Sequence, residues 1–203
     1  LGALGCFRTG YVSARPGAAL WGEVSRQEIS PLPLPRYPRQ TASMSRPPEP
    51  RLSSRVLVIR PTYFGFNPET AGSNAFQKPS DLDPAEIRRC AIEEWEGMVA
   101  ALKSHGIEVI EFDDTPEPHT PDACFPNNWI SCHADGTIVL YPMMASNRRL
   151  EYRQDIVDHL RTLEPYSSGR ILDLRHHAEE GRFLEGTGSL VLDRATRTAY
   201  AAL

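Results

Sequence analysis

The chain has 203 residues, of which 40% are hydrophobic and 24% are charged, and its formal net charge is −4. This length and composition are typical of one globular domain with a buried core. The acidic balance gives no electrostatic reason to expect nucleic acid or an anionic membrane as a partner. No apolar run approaches the length of a membrane span, so we expect no membrane partner.

The four cysteines show neither a CxxC pair nor a regular framework; they are Cys6, Cys90, Cys124 and Cys132. This spacing argues against a zinc site and against a disulfide-stapled secreted domain. Cys124 and Cys132 lie at or near a predicted strand and are interpreted as small core residues. We therefore expect a cytoplasmic location, no metal and no cofactor.

Residues 1–50 hold eight of the eighteen prolines and show no helical or strand period. Such a composition predicts a disordered extension. Residues 1–43 carry five arginines and two acidic residues, so one interpretation is an organellar transit peptide and a mitochondrial location. The alternative is an upstream extension of the reading frame, with the native start at Met44.

An α/β unit is predicted from Arg55 onward. RVLVIRP at 55–61 is a β-branched run that predicts a buried strand, and the long loop at 62–83 that follows is of a kind that is usually functional or mobile. Asp83 and Pro84 then predict a helix that ends at Gly106. IEVIEF predicts the next strand. The helix carries an apolar stripe of Ile87, Ala91, Trp95, Met98, Val99 and Leu102.

Two similar units follow. WIS (129–131) and TIVLY (137–141), joined by HADG, predict a hairpin. A helix is predicted from about Arg148 to Leu163, capped by Asn147, and ILDL returns as a strand. SLVLD and TAYAAL then predict the start of a third unit. Three similar modules indicate a repeat architecture with more modules than this chain holds.

PDACFPNNW (121–129) places Asn127 and Asn128 where a loop enters a strand, although asparagine has poor strand propensity. Polar side chains at such a position often face a ligand in α/β folds. The alternative is an Asx turn, in which the two amides bond their own backbone.

Two further motifs carry charged candidates. FLEGTGSLVLD places Glu185 before a Gly-Thr-Gly turn whose backbone can approach something closely, although a solvated turn carboxylate is the alternative. Its spacing fits neither the dinucleotide nor the P-loop pattern. MASNRRLE offers Arg148 and Arg149, whose planar forks suit a carboxylate. The alternative there is an exposed pair of Arg148 with Glu151. The adjacent His176 and His177 are interpreted as part of a solvated loop.

Taken together, four blocks resemble the guanidine-modifying superfamily, also called the penteins; they are VLVIRPTYFGFNPET, PDACFPNNW, IVLYPMMASNRR and RFLEGTGSLVLDR. The superfamily includes arginine deiminase, dimethylarginine dimethylaminohydrolase and glycine amidinotransferase. The branch that the blocks resemble most is the amidinotransferase-like citrulline hydrolases. The resemblance implies a five-bladed pseudo-symmetric α/β propeller, of which residues 51–203 would supply about three modules, the N-terminal part of the catalytic domain.

The resemblance also implies a hydrolase. In the superfamily a Cys attacks the guanidino or ureido carbon, and a His acts as general acid and base. Both are expected beyond Leu203 in this protein. By the same resemblance, Asp122 would bind the substrate α-amino group, Arg148 or Arg149 its α-carboxylate, and Glu185 would orient the substrate. Asn127 and Asn128 fall where an acidic pair normally stands.

The expected substrate is a small amino acid, namely citrulline, which would be converted to ornithine, carbon dioxide and ammonia. A buried guanidinium demands opposing carboxylates, whereas the ureido group is neutral and an asparagine offers it both a donor and an acceptor. The alternatives are an amidinotransferase, an arginine or methylarginine hydrolase, or an inactive truncated product that lacks the nucleophile. The oligomeric state is not indicated by the sequence.

Overall fold

The structure is a computed structural model that describes residues 53–72, 74, 77–194 and 198–201. These residues form a mixed α/β fold, as the sequence predicts. The extension predicted at 1–50 lies outside the described residues. No helix in the described ranges is long and apolar enough to cross a membrane.

The first unit is a strand–helix–strand module. Its elements are β1 (Arg55–Arg60), α1 (Pro84–Ser104) and β2 (Glu108–Asp113). The two strands pair in parallel, with β1 in register along the whole length of β2. The Asp83 side chain accepts a hydrogen bond of 2.8 Å from the backbone N–H of Ala85, and Pro84 occupies the first helical position. The predicted start of this helix is therefore confirmed, with the capping chemistry that favours it.

The second unit is a three-stranded sheet with a short helix. Its elements are β3 (Ile130–Cys132), β4 (Ile138–Leu140), α2 (Gln154–Leu160) and β5 (Ile171–Asp173). β4 lies in the centre, antiparallel to β3 and parallel to β5. All three residues of β4 are buried, which accounts for its unbroken run of apolar side chains.

The third unit begins with α3 (Gly186–Ser189), a single helical turn, and continues into β6 (Leu190–Asp193) and β7 (Thr198–Ala201). The sequence predicts both strands, and the structure pairs them antiparallel. Residues 202–203 of the predicted second strand lie outside the described part of the chain.

The core joins the first two units. Side chains from β1, β3, β4 and α2 pack together with Trp129 and Met143. The buried cluster consists of Ile59, Trp129, Ile130, Ile138, Leu140, Met143, Ile156, Val157 and Leu160. This core supports the segments that precede β3 and follow β4, and these two segments carry most of the candidate site residues.

The helix predicted from Arg148 to Leu163 is wrong in its bounds and in its cap. Residues Arg148–Glu151 form a 3₁₀ turn, and Tyr152 then adopts extended dihedrals, φ −59° and ψ 129°, which end the turn. α2 begins only at Gln154 and ends at Leu160. The Asn147 side chain makes no capping bond, because it pairs with Asn67 instead.

The apolar stripe predicted for α1 is only partly buried. Val99 is the buried residue of this helix, whereas Met98 is 45% exposed. The pairing partners β1 and β2 form a sheet of two strands, which is too narrow to cover a helix of 21 residues.

Candidate functional site

The PDACFPNNW segment ends in a 3₁₀ turn, Pro126–Asn128, immediately before β3. The exposed Asn127 donates from Nδ2 to Oγ1 of Thr187 at 3.0 Å, so its amide reaches across the fold rather than to its own backbone. The Asx turn is therefore the wrong interpretation for Asn127.

Gly186 explains how the turn and α3 come so close. It has φ +32°, and a Cβ built on it would lie 2.2 Å from the carbonyl oxygen of Asn127. Only glycine fits at such a distance from a backbone atom. The close backbone approach that the Gly-Thr-Gly motif predicts is thus an approach to the asparagine turn.

The side-chain amide of Asn128 lies between Glu185 and Arg148. With the amide nitrogen toward Glu185, Nδ2 donates to Oε2 at 3.3 Å. The opposite orientation satisfies both ends of the amide: the nitrogen donates to the Phe125 carbonyl at 3.3 Å, and the oxygen accepts from Nη1 of Arg148 at 3.2 Å. We adopt this second orientation, because it gives the amide two hydrogen bonds, one of them from a charged guanidinium, whereas the first orientation gives it one.

Glu185 is partly buried and fixed by more than one neighbour. Its Oε1 accepts from the backbone N–H of Met144 at 3.0 Å, and its Oε2 lies 3.8 Å from Nη1 of Arg148. The Glu185 side chain is therefore fixed by a hydrogen bond and by a neighbouring cation, and the alternative of a solvated turn carboxylate is wrong.

Arg148 and Glu151 form a buried ion pair inside the 3₁₀ turn. Nε of Arg148 donates to Oε1 of Glu151 at 2.8 Å and Nη2 donates to Oε2 at 3.0 Å, so the pair is bidentate. The sequence-based alternative named the right partners but expected them to be exposed, and both are buried. Interaction with Glu151 holds the pKa of Arg148 above its usual range, although burial opposes that shift.

Arg149 is exposed and binds the backbone segment that also binds Glu185. Its Nε donates to the Met143 carbonyl and its Nη2 to the Met144 carbonyl, each at 2.9 Å. Its guanidinium also lies over the ring of Phe183, 5.5 Å from the centroid. Arg149 thus borders the segment that holds Glu185 and remains accessible to solvent.

Asp122 is only 3% exposed and is covered by the long loop between β1 and α1. Oδ2 accepts from Nδ2 of Asn67 at 2.7 Å and from the Thr70 hydroxyl at 3.2 Å, and Oδ1 accepts from Nε2 of Gln77 at 2.6 Å. Nε of Arg148 lies 3.9 Å away. Asp122 therefore organises the loop and also lies next to the buried arginine.

Hydrogen bonds also join the same loop to the segment that precedes the 3₁₀ turn at Arg148–Glu151. The fully buried Asn67 accepts from Nδ2 of Asn147 at 2.7 Å, and Glu69 accepts from the Ser146 hydroxyl and the Asn147 backbone N–H. These bonds, first that of the Asn147 backbone, lower the pKa of Glu69. Asn67 is not among the predicted site residues, although it lies within one of the blocks that carry the resemblance.

All six predicted site residues thus lie in one connected group; they are Asp122, Asn127, Asn128, Arg148, Arg149 and Glu185. Glu151, Asn67 and Gln77 belong to the group and were not predicted. His177 and Glu180 pair at 3.4 Å on a partly exposed 3₁₀ turn, Arg175–Glu180, in place of the predicted loop.

The cysteines near this group are not activated. Burial, reinforced for Cys124 by the charge of Asp122, raises the pKa of the Cys124 thiol to about 12, and burial raises that of Cys132 to about 11. A thiol is a nucleophile only as its thiolate, so neither is primed for attack at neutral pH. Within the described ranges, no group of three His, Cys, Asp or Glu side chains is placed to hold a metal ion.

Comparison with known proteins identifies the family. The model of the family "N,N dimethylarginine dimethylhydrolase, eukaryotic" matches residues 60–203. The chain belongs to this family. The predicted resemblance to the guanidine-modifying superfamily is thereby confirmed. Among curated proteins, none matches the chain.

Several solved structures match the chain at low identity. AgrE in its ternary complex with ornithine and NAD+ is 24% identical, with a TM-score of 0.48, over 72% of this chain and 19% of AgrE. Apo ArgZ, an arginine dihydrolase from the ornithine-ammonia cycle in cyanobacteria, is 19% identical, with a TM-score of 0.46, over 72% of this chain and 20% of ArgZ. The product-bound N-terminal domain of ArgZ is 20% identical, with a TM-score of 0.46, over 72% of this chain and 47% of that domain. The chain therefore spans about a fifth of the full-length neighbours.

Proposed function

We propose that this chain supplies the substrate-binding part of a hydrolase that acts on the ureido or guanidino group of an amino acid. The proposed substrate is citrulline, converted with water to ornithine, carbon dioxide and ammonia. The observation that carries the proposal is the position of the Asn128 amide, between the carboxylate of Glu185 and the guanidinium of Arg148. Membership of the dimethylarginine dimethylhydrolase family supports the reaction class.

The charges around Asn128 favour a neutral group. Arg148 already places one guanidinium within 3.8 Å of Glu185, and the two side chains of the turn are amides rather than carboxylates. A guanidinium bound at the turn would meet amides where a carboxylate could oppose it, and Glu185, the carboxylate beside Asn128, already faces Arg148. A ureido group carries no charge, and an amide can offer it a donor or an acceptor.

In this proposal Glu185 orients the ureido group and takes part in proton transfer. Asn127 and Asn128 contact the same group. Asp122 would bind the α-amino group, which requires its cover, the loop at 62–83, to rearrange. Arg149 is the better candidate for the α-carboxylate, since it is exposed and hydrogen-bonded to neutral carbonyls, while Arg148 is buried and paired with the charged Glu151.

The nucleophile and the general acid–base residue are proposed to lie in sequence that follows Leu203 in the whole protein. The raised pKa values of Cys124 and Cys132 support this assignment, because neither thiol is suited to attack. We further propose that residues 51–203 form about three modules of a five-bladed α/β propeller in a cytoplasmic protein.

A second candidate is an arginine or methylarginine hydrolase. The description of the matching family favours it, because that description names a methylated arginine as the substrate. The two candidates differ in whether the reacting group is charged, which makes the asparagine turn the place to test them.

The test is the substitution Asn128→Asp in the full-length protein. We expect it to raise kcat/KM for arginine relative to citrulline by tenfold or more, about 1.4 kcal/mol, because it restores a carboxylate to oppose the guanidinium. Ammonia release from each substrate would be measured, with ornithine as the co-product from citrulline and citrulline as the co-product from arginine. Gln154→Glu, an amide-to-acid change on the exposed face of α2, is the matched control and should leave the ratio unchanged.

If Asn128→Asp left the ratio of kcat/KM for arginine and citrulline unchanged, the Asn128 amide would not be the group that recognises the ureido group. Turnover of arginine but not citrulline by the unsubstituted protein would select the second candidate.

A further inference from the structure

Glu151 is one of the most deeply buried acidic side chains among the described residues, with 3% of its surface exposed. It lies on the 3₁₀ turn after β4, three residues beyond Arg148, and both of its oxygens accept from that guanidinium. A bidentate pair of this kind fixes the plane of the guanidinium as well as its position. The direction in which the remaining nitrogen of Arg148 points is therefore set by Glu151.

That remaining nitrogen, Nη1, faces the proposed site. It lies 3.2 Å from the oxygen of the Asn128 amide and 3.8 Å from Oε2 of Glu185. One end of Arg148 is thus held by a buried carboxylate, and the other end contacts the two side chains proposed to hold the reacting group.

We propose that Glu151 is a positioning residue for the reaction proposed above, because it holds Arg148 in the orientation that places Asn128 and Glu185. This inference rests on the proposed function. Glu151 does not touch the substrate in this arrangement and acts only through Arg148.

The charges that face Glu151 make this pair sensitive to pH. Arg148 lies on its own turn, Asp122 approaches from the segment before β3, and Glu185 approaches from the segment before α3. The Cys124 thiol also senses its charge. Burial, together with Asp122 and Glu185, raises the pKa of Glu151 to about 7, although Arg148 opposes the shift. Arg148 is thus the one cation within 4 Å of these three carboxylates in the described part of the chain. Glu151 therefore takes up a proton as the pH falls below neutrality.

The experiment compares Glu151→Gln with Asp155→Asn in the full-length protein, using citrulline as the substrate. Asp155 also forms a bidentate pair, with Arg153, but its side chain is 60% exposed, so its loss is the matched control. We expect Glu151→Gln to lower kcat by about 100-fold with little change in KM, since displacement of positioned groups costs rate at this scale. Asp155→Asn should stay within about twofold of the unsubstituted protein.

The pH profile gives an independent readout. In the unsubstituted protein, kcat should fall as the pH drops through about 7, where Glu151 takes up a proton and its pairing with Arg148 weakens. Glu151→Gln should lack this acidic limb, whereas Asp155→Asn should keep it.

A second variant separates positioning from folding. Glu151→Gln leaves Arg148 without its buried partner and can destabilise the protein, whereas Arg148→Gln with Glu151→Gln removes both charges together. Positioning predicts that kcat stays low in this double variant even when its melting temperature is restored. Recovery of kcat together with stability would overturn the inference.

The two proposals fail in different ways. Absence of turnover of citrulline, arginine and methylarginine by the unsubstituted protein would overturn the proposed function and, with it, the reaction assigned to Glu151. Normal kcat and an unchanged acidic limb in Glu151→Gln, in a protein that turns over citrulline, would overturn this inference alone.

Discussion

At the scale of single residues, the distribution of buried charge distinguishes the proposed site from an ordinary surface cluster. Asp122 and Glu151 are each 3% exposed, and Arg148 lies next to both. Buried carboxylates are retained where hydrogen bonds or a cation compensate for the lost water. Asp122 obtains that compensation chiefly from the amides of Asn67 and Gln77, whereas Glu151 obtains it from Arg148.

This difference leads to a prediction about stability and pH. The pKa of Glu151 is about 7 in the folded protein against an ordinary value of 4.5, so the folded state binds the proton more tightly than the unfolded chain. Its stabilising contribution is complete below about pH 4.5 and is lost as the pH rises through about 7. We expect the unsubstituted protein to lose unfolding free energy as the pH rises from about 5 to about 8, whereas Glu151→Gln does not. The difference between the two proteins should therefore change in favour of Glu151→Gln, by about 3 kcal/mol at most.

Urea unfolding of the full-length protein at the two pH values measures this difference. Asp155 is the control of opposite sign, since the Arg153 pair lowers its pKa and its stabilisation is lost as the pH falls. A difference between Glu151→Gln and the unsubstituted protein that stays constant with pH would contradict the assignment of the titrating group.

At the scale of elements, the contact between α3 and the asparagine turn sets the distance between the Asn127–Asn128 pair and Glu185. Two short elements of three and four residues, far apart in the chain, meet backbone to backbone. Neither could hold its shape alone, because isolated turns of this length are not stable in water. Their geometry depends on a glycine at the point of contact.

Gly186→Ala should therefore disturb the fold and the proposed site together. A Cβ there would meet the Asn127 carbonyl oxygen at 2.2 Å, and φ is +32°. We expect a loss of about 2–4 kcal/mol in unfolding free energy and a clear fall in kcat. Gly181→Ala is the matched control, since φ is +69° but nothing lies within 4 Å. It should cost about 1 kcal/mol, from strain alone, and leave kcat unchanged. Equal effects of the two substitutions would argue against the close contact.

At the scale of the whole molecule, the described strands leave much apolar surface uncovered. Val191 on β6 is 68% exposed and Tyr200 on β7 is 60% exposed, and all of β5 and β7 is exposed. Surfaces and strand edges of this kind promote association unless another element covers them. In the five-bladed architecture that we propose, neighbouring modules would cover them.

The 203-residue chain expressed by itself should consequently aggregate or form a molten state. Size-exclusion chromatography, binding of a hydrophobic dye and a thermal melt followed by near-UV circular dichroism would measure this. A monomer that melts in one sharp cooperative transition would count against the five-bladed architecture.

The sequence by itself determined the order and type of most elements. The alternation of strand and helix, the Asp83–Pro84 start of α1 and the hairpins of β3–β4 and β6–β7 are local patterns, because capping and side-chain periodicity act within a few residues. The blocks carrying the candidate residues were also visible, and each of those residues lies in the observed group.

Only the tertiary structure decided what those residues contact. The approach of Asn128 to Glu185 and the cover that Asn67 and Gln77 provide for Asp122 join positions 57, 55 and 45 residues apart. The burial of the Arg148–Glu151 pair likewise follows from packing, since the same three-residue spacing forms exposed pairs elsewhere, as between Glu86 and Arg89. Local patterns specify elements, whereas charge and burial at a site are set by segments that the chain brings together from a distance.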